Sequence, residues 1–62
     1  MELLKYNNKR VKLIDTDEKI WLGMAYYSDA DSNETDEDVL IVKTKTGYTE
    51  ILESDIKSIE VL

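Results

Sequence analysis

Apolar residues in this chain come in runs of five to eight, rich in β-branched and aromatic types and cut off by turn formers. That spacing specifies short strands rather than long helices. Val11-Lys12-Leu13-Ile14, within 10–15, reads as a first strand. The polar stop Thr16-Asp17-Glu18-Lys19 turns it into a second, from Ile20 to Tyr27. A third runs from Asp38 to Thr44, and Lys45-Thr46-Gly47 makes a tight hairpin to a fourth, from Tyr48 to Leu52. Glu53-Ser54-Asp55-Ile56 looks like one helical turn before a fifth strand, Lys57 to Val61.

Gly23 falls in the middle of the second and longest strand. A glycine there marks a sharp bend, a bulge or the close approach of another backbone, so the sheet is strongly curved. With five short strands, the economical solution is a small all-β fold, a five-stranded SH3-like barrel, which largely removes exposed strand edges. At 62 residues the chain is a single domain, and one of this size buries only about 60% of the surface its unfolded form exposes. Leu3, Leu4 and Tyr6 precede the first strand and are placed to form a short helical turn over an open end of the barrel.

Alternation along the strands predicts an interior of Val11, Leu13, Trp21, Ala25, Val39, Ile41, Ile51, Ile56, Ile59 and Val61. Strands two and three resist this reading because both of their faces are apolar. Ile20, Leu22, Met24 and Tyr26 oppose Trp21, Gly23, Ala25 and Tyr27, while Leu40 and Val42 oppose Val39 and Ile41. One interior cannot hold both sets. Either the bent strand crosses between two layers and the N-terminal segment covers the rest, or the surplus set is an interface, with Leu22, Met24, Tyr26, Leu40 and Val42 as its candidate residues.

Charge narrows the function classes. Eight basic and fourteen acidic residues give a net charge of −6, which disfavours nucleic acid as a partner. The segment from Asp29 to Asp38 holds six of the acids and no base, so the other 52 residues balance at eight of each. The stretch from Ser28 to Glu37 has Ala30 as its one apolar residue and reads as a solvated loop. Within it Asp29, Asp31, Asn33, Thr35 and Glu37 alternate like oxygen ligands of a calcium loop. Glu34 stands where that loop needs glycine, and Leu40 where it needs a bidentate glutamate. No metal or other cofactor is expected.

Cysteine and histidine are both absent, which removes disulfides, thiolate zinc sites, cysteine nucleophiles and imidazole bases. A chain this short has little room to desolvate paired carboxylates and shift their pKa values, so a non-enzymatic protein is expected, with no catalytic residues. Trp21, Tyr26, Tyr27, Tyr48 and Tyr6 offer an aromatic groove for an extended or proline-rich peptide, or else core and rim packing. Lys43 and Lys45 beside Tyr48 are the one local basic cluster, equally explained as a charged strand edge. No run approaches the roughly 18 apolar residues of a membrane span, and the first residues lack the pattern of a signal peptide. A cytoplasmic protein with no membrane partner is the expectation.

The chain resembles the Sm-like proteins over most of residues 11–62. Trp21, Gly23 and Ala25 stand at the spacings of the first Sm motif, and Asp29 and Asn33 stand where that motif places an aspartate and an asparagine. The resemblance implies an Sm-like barrel with the same strand order and a late helical turn, and it makes Asp29 and Asn33 candidate RNA contacts. Glu18 replaces the family's usual turn glycine, Ser28 an apolar residue, and Leu52-Glu53 the pair that carries the base-stacking arginine. The pattern of 11–17 and 53–59 is more similar to the compact Sm-like proteins of Gram-positive bacteria, whose function the resemblance leaves undefined. Two readings follow. One is a small acidic barrel acting as a protein-interaction or self-association module, with itself or another protein as partner. The alternative is an Sm-like RNA-binding protein.

Overall fold

In the computed structural model, which describes residues 2–30 and 36–62, a 3-10 turn at Leu3–Tyr6 leads into five strands. These are β1 (Lys9–Asp15), β2 (Ile20–Ser28), β3 (Val39–Thr44), β4 (Gly47–Leu52) and β5 (Ile56–Val61), with a second 3-10 turn at Glu53–Asp55. They form one antiparallel sheet in the order β4-β3-β2-β1-β5. Laid flat at about 4.8 Å per strand, the outer strands of such a sheet would lie roughly 19 Å apart. Ile51 of β4 and Ile56 of β5 nevertheless share one buried cluster with Leu3, Val11, Leu13, Ala25, Leu40 and Val42. The sheet is therefore curled around a single core.

The curl is organised on β2. Its first half pairs with β1, from Ile20 opposite Ile14 to Ala25 opposite Lys9, and its second half pairs with β3, from Met24 opposite Lys43 to Ser28 opposite Val39. Gly23 lies at the changeover, where a Cβ would fall on the Lys43 carbonyl oxygen and 2.9 Å from its carbon. Close approach of another backbone is thus the reason for this glycine.

Each turn has an identifiable cause. Asp15 closes the β1–β2 hairpin, its Oδ1 accepting the Asp17 and Lys19 amides at 2.9 Å each, an arrangement open to a short carboxylate side chain. The turn needs one left-handed residue, and Glu18 takes it at φ 63°. Gly47, at φ 129°, makes the β3–β4 turn. The N-terminal turn is held by Asn7 Oδ1, which accepts the Tyr27 amide, and by the Asn8 amide, which donates to the Ala25 carbonyl. As expected of an end cover, this turn inserts Leu3, 2% exposed, into the core, while Leu4 stays outside.

Burial corrects the interior read from alternation. Val11, Leu13, Ala25, Val39, Ile51 and Ile56 are buried as expected. Trp21, Ile41 and Ile59 are only partly buried and Val61 is exposed, whereas Leu40 and Val42, expected at an interface, are completely buried. The cause is register. Ala25 pairs with Val42 and Tyr27 with Leu40, and directly opposed residues share a face, so the even positions of β3 point inward. A run that is apolar on both faces does not reveal which set is inside, and a slip of one residue inverts the answer.

Candidate functional site

With Leu40 and Val42 in the core, the surplus apolar set falls on the outer face of β2. Ile20, Leu22, Met24 and Tyr26 alternate there. Ile20 is 53% exposed and Leu22 56%, while Met24 and Tyr26 are partly buried. Their cross-strand neighbours on this face are Ile14, Lys12 and Arg10 of β1 and Lys43 and Ile41 of β3. Leu62 is brought alongside by its amide, which donates to the Arg10 carbonyl.

Two recesses, of about 390 and 520 Å³, open along this strip and share Leu22, Thr44 and Lys45 as lining. They form one groove between the first half of β2 and the Thr44–Thr46 turn. Ile20, Leu22, Met24 and Leu62 supply its apolar lining, Trp21 adds an aromatic wall, and Arg10, Lys19, Lys43 and Lys45 are its charges; among the described residues no acidic side chain lines either recess. The basic cluster seen in the sequence, Lys43 and Lys45, is thereby joined by two cations from elsewhere. Lys19 Nζ stands 4.3 Å from the centre of the Trp21 ring and Lys43 Nζ 5.8 Å from that of Tyr48, contacts that hold a cation over an aromatic face without neutralising it.

At the end of the barrel lies an acidic recess of about 180 Å³ lined by Asp15, Asp17, Glu50 and Asp55 with Trp21 and Ile51. Asp15 is committed here. Its Oδ2 accepts the Trp21 Nε1–H at 3.0 Å, and this bond, followed by the Lys19 amide, holds its carboxyl below the ordinary aspartate value despite partial desolvation. Among the described residues no group of carboxylates is arranged to hold a metal ion.

The acidic segment is also different from its sequence reading at its C-terminal end. Glu37 does not project into solvent as part of a loop of alternating ligands: its carboxylate accepts the Ser54 amide at 2.6 Å and the Ser54 hydroxyl at 3.0 Å, capping the Glu53–Asp55 turn. Asp38 accepts the Tyr27 hydroxyl and the Ala30 amide at 3.0 Å each, and its carbonyl accepts the Glu53 amide. The bond to Asp38 is the first cause of a Tyr27 pKa raised above the ordinary tyrosine value. Asp31, Asn33 and Thr35 lie outside the described residues, so of the two candidate RNA contacts only Asp29 is described. Glu53, at the position of the stacking arginine pair, carries an amide used in that capping network.

Of the two readings of Trp21, Tyr26, Tyr27, Tyr48 and Tyr6, a shared aromatic groove or core and rim packing, the structure has the second. Trp21 and Tyr27 share the inner face of β2 and pack against the core, as does Tyr6, while Tyr26 and the exposed Tyr48 belong to the outer face. No helix among the described residues is long and apolar enough to cross a membrane.

No family model, curated protein or solved structure matches the chain. The groove and its charges therefore carry the functional argument by themselves.

Proposed function

We propose that this chain is a non-enzymatic protein-interaction module whose working surface is the outer face of β2. One observation carries the reading: Ile20 and Leu22, next to each other on one face of β2, remain more than half exposed beside the partly buried Met24 and Tyr26. Contiguous apolar surface kept on a small soluble-type fold marks an interaction site, and the groove beside it offers a defined seat. Kinship with the Sm-like proteins is part of the proposal, since the strand order and the 3-10 turn before β5 are those the resemblance implies. The RNA-binding alternative is weaker, because the net charge of −6 opposes a phosphate backbone.

The test is an amide and methyl NMR screen with small apolar and charged fragments, run beside sedimentation velocity up to high micromolar concentration. Shifts centred on Leu22, Met24 and Leu62, or self-association abolished by Leu22→Ser with Met24→Ser, support the reading. Shifts confined to the acidic recess around Asp15 and Asp55, with no association at any concentration, would sink it.

A further inference from the structure

The groove has a feature beyond apolar exposure. β3 pairs with β2 only from Met24 onward, and at Thr44 it turns away into β4. The stretch Ile20–Gly23 pairs with β1 on one side and, among the described residues, has no strand partner on the other. The two recesses run along that unpartnered side. A free strand edge at the floor of a groove accepts an added strand by main-chain hydrogen bonds, with side-chain pockets giving selectivity.

Charge decides what the strand carries. On a protein with fourteen acidic and eight basic residues, this groove gathers Arg10, Lys19, Lys43 and Lys45 and, among the described residues, no acidic side chain. None of the four makes an ion pair with a described residue; the ion pair that Lys57 makes with Glu18 lies elsewhere. The carboxylate nearest Lys19 is Asp15, which accepts the Lys19 amide and is held low first by the Trp21 bond and in part by the Lys19 charge, but it is committed to Trp21 in the acidic recess. Glu60 opposite Lys12 and Glu50 opposite Ile41 also lie outside the groove lining. From Ile20 to Gly23 the open edge is about 10 Å long at 3.3 Å per residue, which accommodates about four extended residues.

We propose that the groove between Ile20–Met24 and the Thr44–Thr46 turn binds an extended acidic peptide of a partner protein. The peptide adds as a strand beside β2, sets apolar side chains against Ile20, Leu22, Met24 and Leu62, and directs carboxylates to Arg10, Lys19, Lys43 and Lys45. The proposal rests on the interaction reading above and adds the chemistry of the ligand. With Ile20, Leu22, Met24 and Leu62 against Trp21 as the one aromatic among the described lining residues, the groove favours such a peptide over a nucleic acid, whose successive bases need several stacking platforms.

The experiment titrates the full chain with a blocked eight-residue peptide of alternating Asp/Glu and Leu/Val, followed by Trp21 fluorescence and amide shifts. Parallel titrations use the same peptide with Asn/Gln for the acids, and a uridine oligonucleotide. The acidic peptide is expected to bind with shifts at Ile20–Met24 and Thr44–Thr46, to weaken as salt rises, and to bind at least tenfold more weakly to Lys43→Glu with Lys45→Glu. Both substitutions are on exposed or partly exposed positions, and circular dichroism verifies folding; Lys19→Gln with Arg10→Gln is the second variant should the first not fold. Equal binding of the amide peptide overturns the acidic specificity and leaves the interaction module standing. Preference for the oligonucleotide, or self-association that occupies the groove and excludes the peptide, overturns the proposal in favour of RNA or a second copy. Absence of any ligand at the groove overturns this proposal and removes support from the module as well.

Discussion

Replacing Gly23 with alanine tests the account of how the sheet curls. An added Cβ lands on the Lys43 carbonyl oxygen and 2.9 Å from the carbonyl carbon, whereas a relaxed contact needs about 3.5–4.0 Å. The Lys43 backbone would have to retreat by roughly 1.5–2 Å, and it is held there by the pairing of Met24 with Lys43 and of Lys43 with Tyr48. Backbone does not yield as the tip of a side chain does, so the cost belongs near the upper end of overpacking, about 3 kcal/mol. A gain of about 0.5–1 kcal/mol from the stiffer unfolded chain offsets part of it. The net loss of about 2–3 kcal/mol compares with a total stability of roughly 3–9 kcal/mol for a domain of this length. Urea denaturation followed by Trp21 fluorescence should show the loss, with a melting temperature lower by roughly 10–20 °C. Hydrogen exchange should show it concentrated at the β2–β3 pairs. A variant within about 0.5 kcal/mol of the parent, with those pairs equally protected, would refute the close-approach argument.

Leu3→Ala should cost about 2–4 kcal/mol, because it empties a fully packed site in the core cluster; denaturant titration measures it, and Leu4→Ala, at an exposed position, is the comparison. Asp15 has a folded-state pKa below its unfolded value, so its contribution is present above about pH 4 and is lost as pH falls through the folded pKa. Asp15→Asn should flatten the acid limb of a stability-versus-pH curve and alter Trp21 emission at neutral pH. Tyr27 has the opposite sense: its raised pKa means a contribution present below about pH 10 and lost on the alkaline side. Tyr27→Phe should remove that dependence, as followed by ultraviolet titration. Glu37→Ala should lower stability by about 1 kcal/mol by leaving the Ser54 amide without its carboxylate cap, seen as a reduced unfolding midpoint.

Local chemistry makes much of the architecture legible in the sequence. Strand limits followed from where β-branched runs meet turn formers, and Gly23 announced the bend because a mid-strand glycine has few other uses. The Leu3 cover was readable as apolar residues left over before β1. Lys43 and Lys45 could be seen as a basic cluster, since they are neighbours in sequence, but Arg10 and Lys19 could not be joined to them.

Short strands, their turns, the bend and the segregation of acid into one segment all depend on residues within a few positions of each other, and so are written in local sequence. Tertiary structure alone decided which face of β3 points inward, because Val39-Leu40-Ile41-Val42 is apolar at every position and only pairing with Ala25 and Tyr27 selects Leu40 and Val42 for the core. It also turned Glu37 and Asp38 from loop charges into caps for Ser54 and Tyr27. Finally, among the described residues it left Ile20–Gly23 without a strand partner on one side, beside four cations. Such arrangements depend on register and on contacts between residues far apart in the chain, and a one-residue change of register would invert the first and dissolve the others.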